Sequence, residues 1–247
     1  MYLTTRGLVL RVSDYNDRDA LLTLLTPEHG KITVKARGLR RKNSPLTAPC
    51  QLLALGEFTL FEYRDSFSIN EAHSIELFQG LRKDIVKLSL GTYFAQVAEL
   101  LSMEDTPNPE LLSLVLNCLY ALSEMAVREN QVKAVFELRC ACLSGYTPDL
   151  FCCYVCGSQE PDRFDVSSGM LSCATCRHMG ESGIRMPLTA SVLCAMRYIV
   201  SSEPKRLLSF DASDETLKQL SQITELYLTT QLERGFSTLD FYKSLFL

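Results

Sequence analysis

The chain has 247 residues, 47% of them hydrophobic and 22% charged, which excludes an intrinsically disordered protein and suits one globular unit plus a smaller module. Its formal net charge of −4 excludes a uniformly basic surface, so any polyanion-binding region has to be local. Arg6, Arg11, Asp14, Asp17, Arg18 and Asp19 break up every early apolar run and argue against a signal segment, while no later run reaches the roughly 18 apolar residues of a membrane span.

The expectation is a cytoplasmic protein whose ten cysteines are reduced thiols or metal ligands. The first eighty residues read as short β-rich runs: Gly7 to Val12, Ala20 to Thr26, Ile32 to Arg37, Phe58 to Tyr63 and Ser66 to Ala72. Thr26-Pro27-Glu28-His29-Gly30 is a turn, with Pro27 presetting φ and Gly30 free to take a positive one. Five such strands predict a small barrel.

From Ile75 to Met103 the period becomes helical, with Phe78, Leu81, Ile85, Leu88, Phe94, Val97 and Leu101 on one stripe, and a domain boundary is placed here. Asn108-Pro109 opens a second helix to about Ala126. A third runs from about Gln131 to Ser144 and stops at Gly145. After Pro148 the pattern lapses, then Thr189 caps a helix to about Ser201. Ser213 caps another to about Glu233, with Gly235 just past its end. The expected fold class is α+β: a barrel domain over 1–76, then a helical domain over 77–247 with a metal-binding insertion at about 149–183.

That insertion holds Cys153-Tyr154-Val155-Cys156-Gly157 and Cys173-Ala174-Thr175-Cys176, two C-x-x-C pairs with sixteen residues between them. Each pair sets two thiolates on one side of a tight turn, and two facing pairs supply the four ligands of one tetrahedral Zn2+. Four thiolates leave no open coordination position, so the zinc is expected to be structural. Cys152 in place of Cys153, or His178 in place of Cys176, would break the symmetry of the pairs. Cys50, Cys118, Cys140, Cys142 and Cys194 are expected in the core.

Between Glu28 and Glu57 there is no acidic residue, yet Lys31, Lys35, Arg37, Arg40, Arg41 and Lys42 all fall there. A flexible loop of this charge can follow a phosphate backbone by releasing condensed counterions. Tyr2, Tyr15, Phe58, Phe61 and Phe67 are candidates for stacking bases, although strand aromatics more often fill a core. No phosphate loop, dinucleotide fingerprint, nucleophile elbow or H-E-x-x-H is present, and His29, His73 and His178 have no motif partners, so neither an enzyme nor a small-molecule substrate is expected.

Gly7-Leu8-Val9-Leu10, the run from Asp19 through Thr26-Pro27-Glu28-His29-Gly30-Lys31, Ala36-Arg37-Gly38-Leu39-Arg40-Arg41, and Phe136-Glu137-Leu138 leading to Gly145-Tyr146 resemble the bacterial recombination mediator family RecO, over essentially the whole chain. The chain departs from that pattern at Asn16, where many relatives carry an acid. The resemblance implies an OB-fold followed by a helical domain, binding of single- and double-stranded DNA at the nucleoid, and annealing of complementary strands. It also implies help in loading recombinase onto DNA coated by single-strand-binding protein. The partners it implies are RecR and the acidic carboxyl-terminal tail of that binding protein, with no membrane. For such a tail, Lys133 and Arg139 are candidates, because they flank Val135, Phe136 and Leu138 on one helix. The competing reading is a zinc-ribbon transcription or adaptor protein acting through protein contacts.

Overall fold

The structure is a computed structural model that describes residues 1–64, 66–176 and 183–246. Strands β1 (Tyr2–Asp14), β2 (Ala20–Thr26), β3 (Gly30–Ala36), β4 (Leu55–Tyr63) and β5 (Ser66–Glu76) close into a barrel in the order β1-β2-β3-β5-β4. Neighbours are antiparallel except β3 and β5, which pair in parallel at Val34↔Phe67 and Lys35↔Ser68. This is the five-stranded OB topology expected from the sequence.

Alternation sends Val9, Leu22, Leu24, Ile32, Val34, Phe58 and Leu60 into one core. Leu8 and Leu25, register partners in β1 and β2, are also fully buried, because helices pack on this side of the barrel. At the β2–β3 turn the Thr26 hydroxyl donates to the Gly30 carbonyl at 3.0 Å and accepts from the His29 amide at 3.1 Å. Gly30 has φ +60, and a Cβ there would lie 2.2 Å from the Thr106 carbonyl oxygen, so no other residue fits.

The helices are α1 (Gln79–Arg82), α2 (Ile85–Leu101), α3 (Pro109–Glu124), α4 (Glu129–Leu143), α5 (Ala190–Ser201), α6 (Asp214–Gln231) and α7 (Ser237–Ser244). The single helix expected from Ile75 to Met103 is broken. Ile75 still belongs to barrel strand β5, Phe78 is left-handed with φ 48, and Asp84 starts α2 afresh by accepting from Val86 and Lys87 amides. Asn108, Thr189 and Ser213 cap as expected, through Leu111, Val192 and Thr216 amides. The stop after α6 differs: the helix ends at Gln231, and Glu233, not Gly235, takes the positive φ.

Two compact units result, Met1–Met125 with Phe236–Leu247, and Ala126–Gly235. The first runs past the barrel because α2 packs on β1, Arg11 bridges Glu99 at 3.0 Å, and α7 returns to α2 with Phe236 edge-on to Tyr93 at 5.6 Å. In the second, α4, α5 and α6 pack together beside a three-stranded sheet of β6 (Arg163–Asp165), β7 (Met170–Ser172) and β8 (Arg185–Pro187), ordered β7-β6-β8. No helix among the described residues is long and apolar enough to cross a membrane.

Candidate metal centre and nucleic-acid interface

In the second unit, the Gly157 amide donates to the Cys153 carbonyl at 2.9 Å, closing a tight turn that Gly157 completes with φ +73. The second pair closes likewise, the Cys176 amide donating to the Cys173 carbonyl at 3.0 Å. The Tyr154 amide bonds the Leu171 carbonyl at 2.9 Å, which holds the first turn against the strand leading to the second. The Sγ atoms of Cys153, Cys156, Cys173 and Cys176 consequently lie within 4.8 Å of one another, with Cys156 and Cys173 at 3.6 Å. Thiolates around a tetrahedral ion at about 2.3 Å sit roughly 3.8 Å apart, so the cluster fits such an ion with little adjustment.

The electrostatics agree with this fit. Burial opposes ionisation of Cys153, yet the amides of Cys156, Val155 and Cys173, with the Cys156 thiol, hold its thiol down to about 6. Cys173 is held down first by the Cys176 amide. Burial pushes Cys176 up to about 12, and the other three thiols add to it. Cys156 accepts from the Ser158 amide, but the thiols of Cys173 and Cys153 raise it on balance. Two thiols are thus shifted towards ionisation and two away from it, and a divalent cation held by the four would favour the thiolate form of all.

None of the ten cysteines, all among the described residues, forms a disulfide. Cys152 is outside the cluster, and His178 lies outside the described residues. Cys50, Cys118 and Cys140 are core residues as expected and Cys142 is half-buried, but Cys194 is exposed on α5.

The cationic segment is not a flexible loop. From Gly38 to Ala54 it folds as consecutive turns, with amide-to-carbonyl bonds Arg41 to Gly38, Ser44 to Arg41, Thr47 to Ser44 and Cys50 to Leu46, and it plants Leu46, Cys50 and Ala54 in the barrel core. This scaffold sorts the six bases into two sets. Lys31 donates to the Glu99 carbonyl at 3.1 Å, Lys35 lies 3.7 Å from Asp19 and 3.9 Å from the Tyr15 ring centroid, and Arg40 pairs with Asp14. Arg37, Arg41 and Lys42 are exposed and enter no ion pair among the described residues. They line one wall of a groove of about 710 Å³, whose other wall is β5 from Ile69 to His73. The groove opens because β3 and β5 part after their short parallel contact.

His73, without a motif partner in the sequence, meets Glu71 at 3.0 Å on this second wall. The i, i+2 spacing on a strand puts both on one face, and that was the available signal. Among the candidate aromatics, Phe58 is core, Phe67 is half-buried, Tyr15 lies under Lys35, and Tyr2 and Phe61 are exposed together with Tyr63.

Lys133 does not face solvent. It is 2% exposed and bridges Glu137 and Glu225, each at 2.8 Å, with Ser221 Oγ at 3.2 Å. Val135, Phe136 and Leu138, which the two charges flank, are likewise buried, and α4 packs against α6. Arg139 is half-buried and donates to the Val200 carbonyl at 3.1 Å. Both charges are used inside the chain.

The family model described as Recombination protein O N terminal matches residues 1–78, and that described as Recombination protein O C terminal matches residues 82–240. The chain is similar to the DNA repair protein RecO of Acetivibrio thermocellus, 33% identical over 247 residues that cover 99% of this chain and 97% of the relative. It is 27% identical to that of Alkaliphilus metalliredigens, covering 99% and 100%, and 28% identical to that of Bacillus subtilis, covering 92% and 88%.

Proposed function

Because the chain belongs to the recombination protein O family, we propose that it is a recombination mediator in DNA repair, working in the cytoplasm at the nucleoid by binding rather than by bond breaking. It binds single- and double-stranded DNA, anneals complementary strands, and helps load recombinase onto DNA coated by single-strand-binding protein. RecR and the acidic tail of that binding protein are its partners. The observation that carries this reading is the groove in which Arg37, Arg41 and Lys42 enter no ion pair among the described residues and outnumber the one carboxylate of the facing wall, Glu71. Three positive charges on a folded scaffold are pre-positioned for successive phosphates, whereas a mobile loop would lose entropy on binding. Zn2+ held by Cys153, Cys156, Cys173 and Cys176 cross-links a segment with little apolar core of its own.

Strand annealing tests the reading. Purified protein should accelerate pairing of two complementary oligonucleotides, and replacing Arg37, Arg41 and Lys42 with Gln should remove most of the acceleration. Annealing at the protein-free rate, with no binding to either DNA form, would leave the adaptor reading in its place.

A further inference from the structure

The outer face of the barrel carries aromatic side chains that no core or helix uses. Tyr2 on β1 and Phe61 on β4 are register partners, and their ring centroids stand 5.3 Å apart. Tyr63, two residues further along β4, projects from the same face. The three are 62%, 39% and 60% exposed. The Arg64 guanidinium sits 5.2 Å from the Tyr63 ring centroid. Large rings grouped in solvent, with a cation on one of them, are costly to leave bare and mark a contact surface.

The position of this patch says what covers it. Phe61 is paired on its other side with Ser68 of β5, and Thr59, which shares the outward face of Phe61, is paired with Glu71. Glu71 belongs to the wall of the cationic groove. One strand spacing and two residues therefore separate groove from rings, roughly 8 Å along a continuous sheet surface. A groove with cations on its far wall and bare aromatic rings beyond its near wall complements a chain with phosphates on one side and unpaired bases on the other. A neutral or basic protein surface would answer the rings but not the cations across the groove. We infer that Tyr2, Phe61 and Tyr63 form a base-stacking platform for single-stranded nucleic acid, continuous with the groove of Arg37, Arg41 and Lys42. This rests on the DNA-binding reading above and adds to it a site that distinguishes unpaired from paired strands, because bases inside a duplex cannot reach the rings.

The test uses the full-length chain and anisotropy of a labelled oligothymidylate and of a labelled hairpin duplex, each over a series of salt concentrations. The variant Tyr2→Ser with Phe61→Ser and Tyr63→Ser should lose about tenfold or more in affinity for the oligothymidylate. Its salt slope and its duplex affinity should stay at the parent's values. The aromatic exchange Tyr2→Phe with Phe61→Tyr and Tyr63→Phe should keep parent affinity, which separates stacking from loss of fold. Parent-like oligothymidylate binding by the serine variant would overturn the inference, as would an equal loss on duplex. A parent dimer in sedimentation that the serine variant dissolves would assign the patch to a second copy instead. If only the Arg37, Arg41 and Lys42 variants lose binding, the platform fails while the DNA-binding reading stands; if the parent binds no DNA, both fail.

Discussion

Asp19 Oδ1 accepts a hydrogen bond from the Gly38 amide at 2.8 Å, so the acidic loop after β1 holds the root of the cationic turns after β3. Gly38 has φ +70, and a Cβ there would press on the Arg41 side chain at 3.2 Å. Asn16 completes the arrangement by accepting from the Arg18 and Asp19 amides and donating to Asp19. Asp14 and Asp19, near the start of the chain, are fasteners for the basic segment.

The Gly38 amide, with Asn16 and Lys35, lowers the Asp19 carboxyl below its ordinary 3.8. A carboxyl with a depressed native pKa stabilises the fold above its unfolded value, and that contribution disappears as pH falls through the native one. Nuclear magnetic resonance should show the Gly38 amide signal shifting only below about pH 3.8. In Asp19→Ala the same amide should exchange faster with solvent at neutral pH. An Asp19 titration at or above the ordinary value would contradict the arrangement.

Elemental analysis of protein purified without added metal should give about one zinc per chain. Cys156→Ser with Cys173→Ser should abolish it and lower the thermal midpoint, while oligonucleotide affinity holds, because the cysteines and the cationic groove belong to different compact units. A midpoint unchanged by the double substitution would remove the structural role of the ion.

Single replacements with Gln at Arg37, Arg41 and Lys42 should each flatten the salt dependence of single-strand binding by roughly 0.7 in log–log slope. Arg40→Gln should change it less, because its guanidinium is already committed to Asp14. Equal slopes for Arg40 and Arg41 variants would mean that ion pair opens on DNA.

Lys133 bridges buried Glu137 and partly buried Glu225. Lys133→Met should cost about 3–5 kcal/mol in denaturant unfolding, since it takes away the ammonium group that a buried carboxylate meets. Burial already raises the Glu137 carboxyl, with Lys133 holding it back. The variant should raise it further, so its deficit should grow as pH rises from the ordinary Glu range through neutrality. Lys133→Met combined with Glu137→Met should recover part of the loss. A loss below about 1 kcal/mol in the single variant would show that water reaches the pair.

Local chemistry carried much of this architecture in the sequence. Asn108, Thr189 and Ser213 announce their helices because a capping side chain bonds an amide two or three residues away. The paired cysteines were legible for the same reason: each turn is short and closes on itself. What failed depends on distant partners. Tyr2 to Arg6 contains few apolar residues and becomes strand only by pairing with β4. The break before α2 follows from strand β5 running on to Glu76 and from Gly80 fitting against Ser123, whose carbonyl oxygen would stand 2.1 Å from a Cβ. Lys133 reads as a surface charge until α6 brings Glu225 to it. The six bases share one acid-free stretch of sequence, and only the fold divides them into three that hold the protein together and three that face outwards.

The return of Phe236 to Tyr93 has a consequence in time. The residues that complete the barrel's own unit are separated from the rest of it by the whole of Ala126–Gly235. At ordinary translation speeds that stretch takes roughly ten seconds to make. For that interval the nascent barrel and its first helices wait on the ribosome with the seat of α7 uncovered, and the later-made unit can finish folding first. A stop codon a few residues before Phe236 would accordingly damage the beginning of the protein more than the part just synthesised.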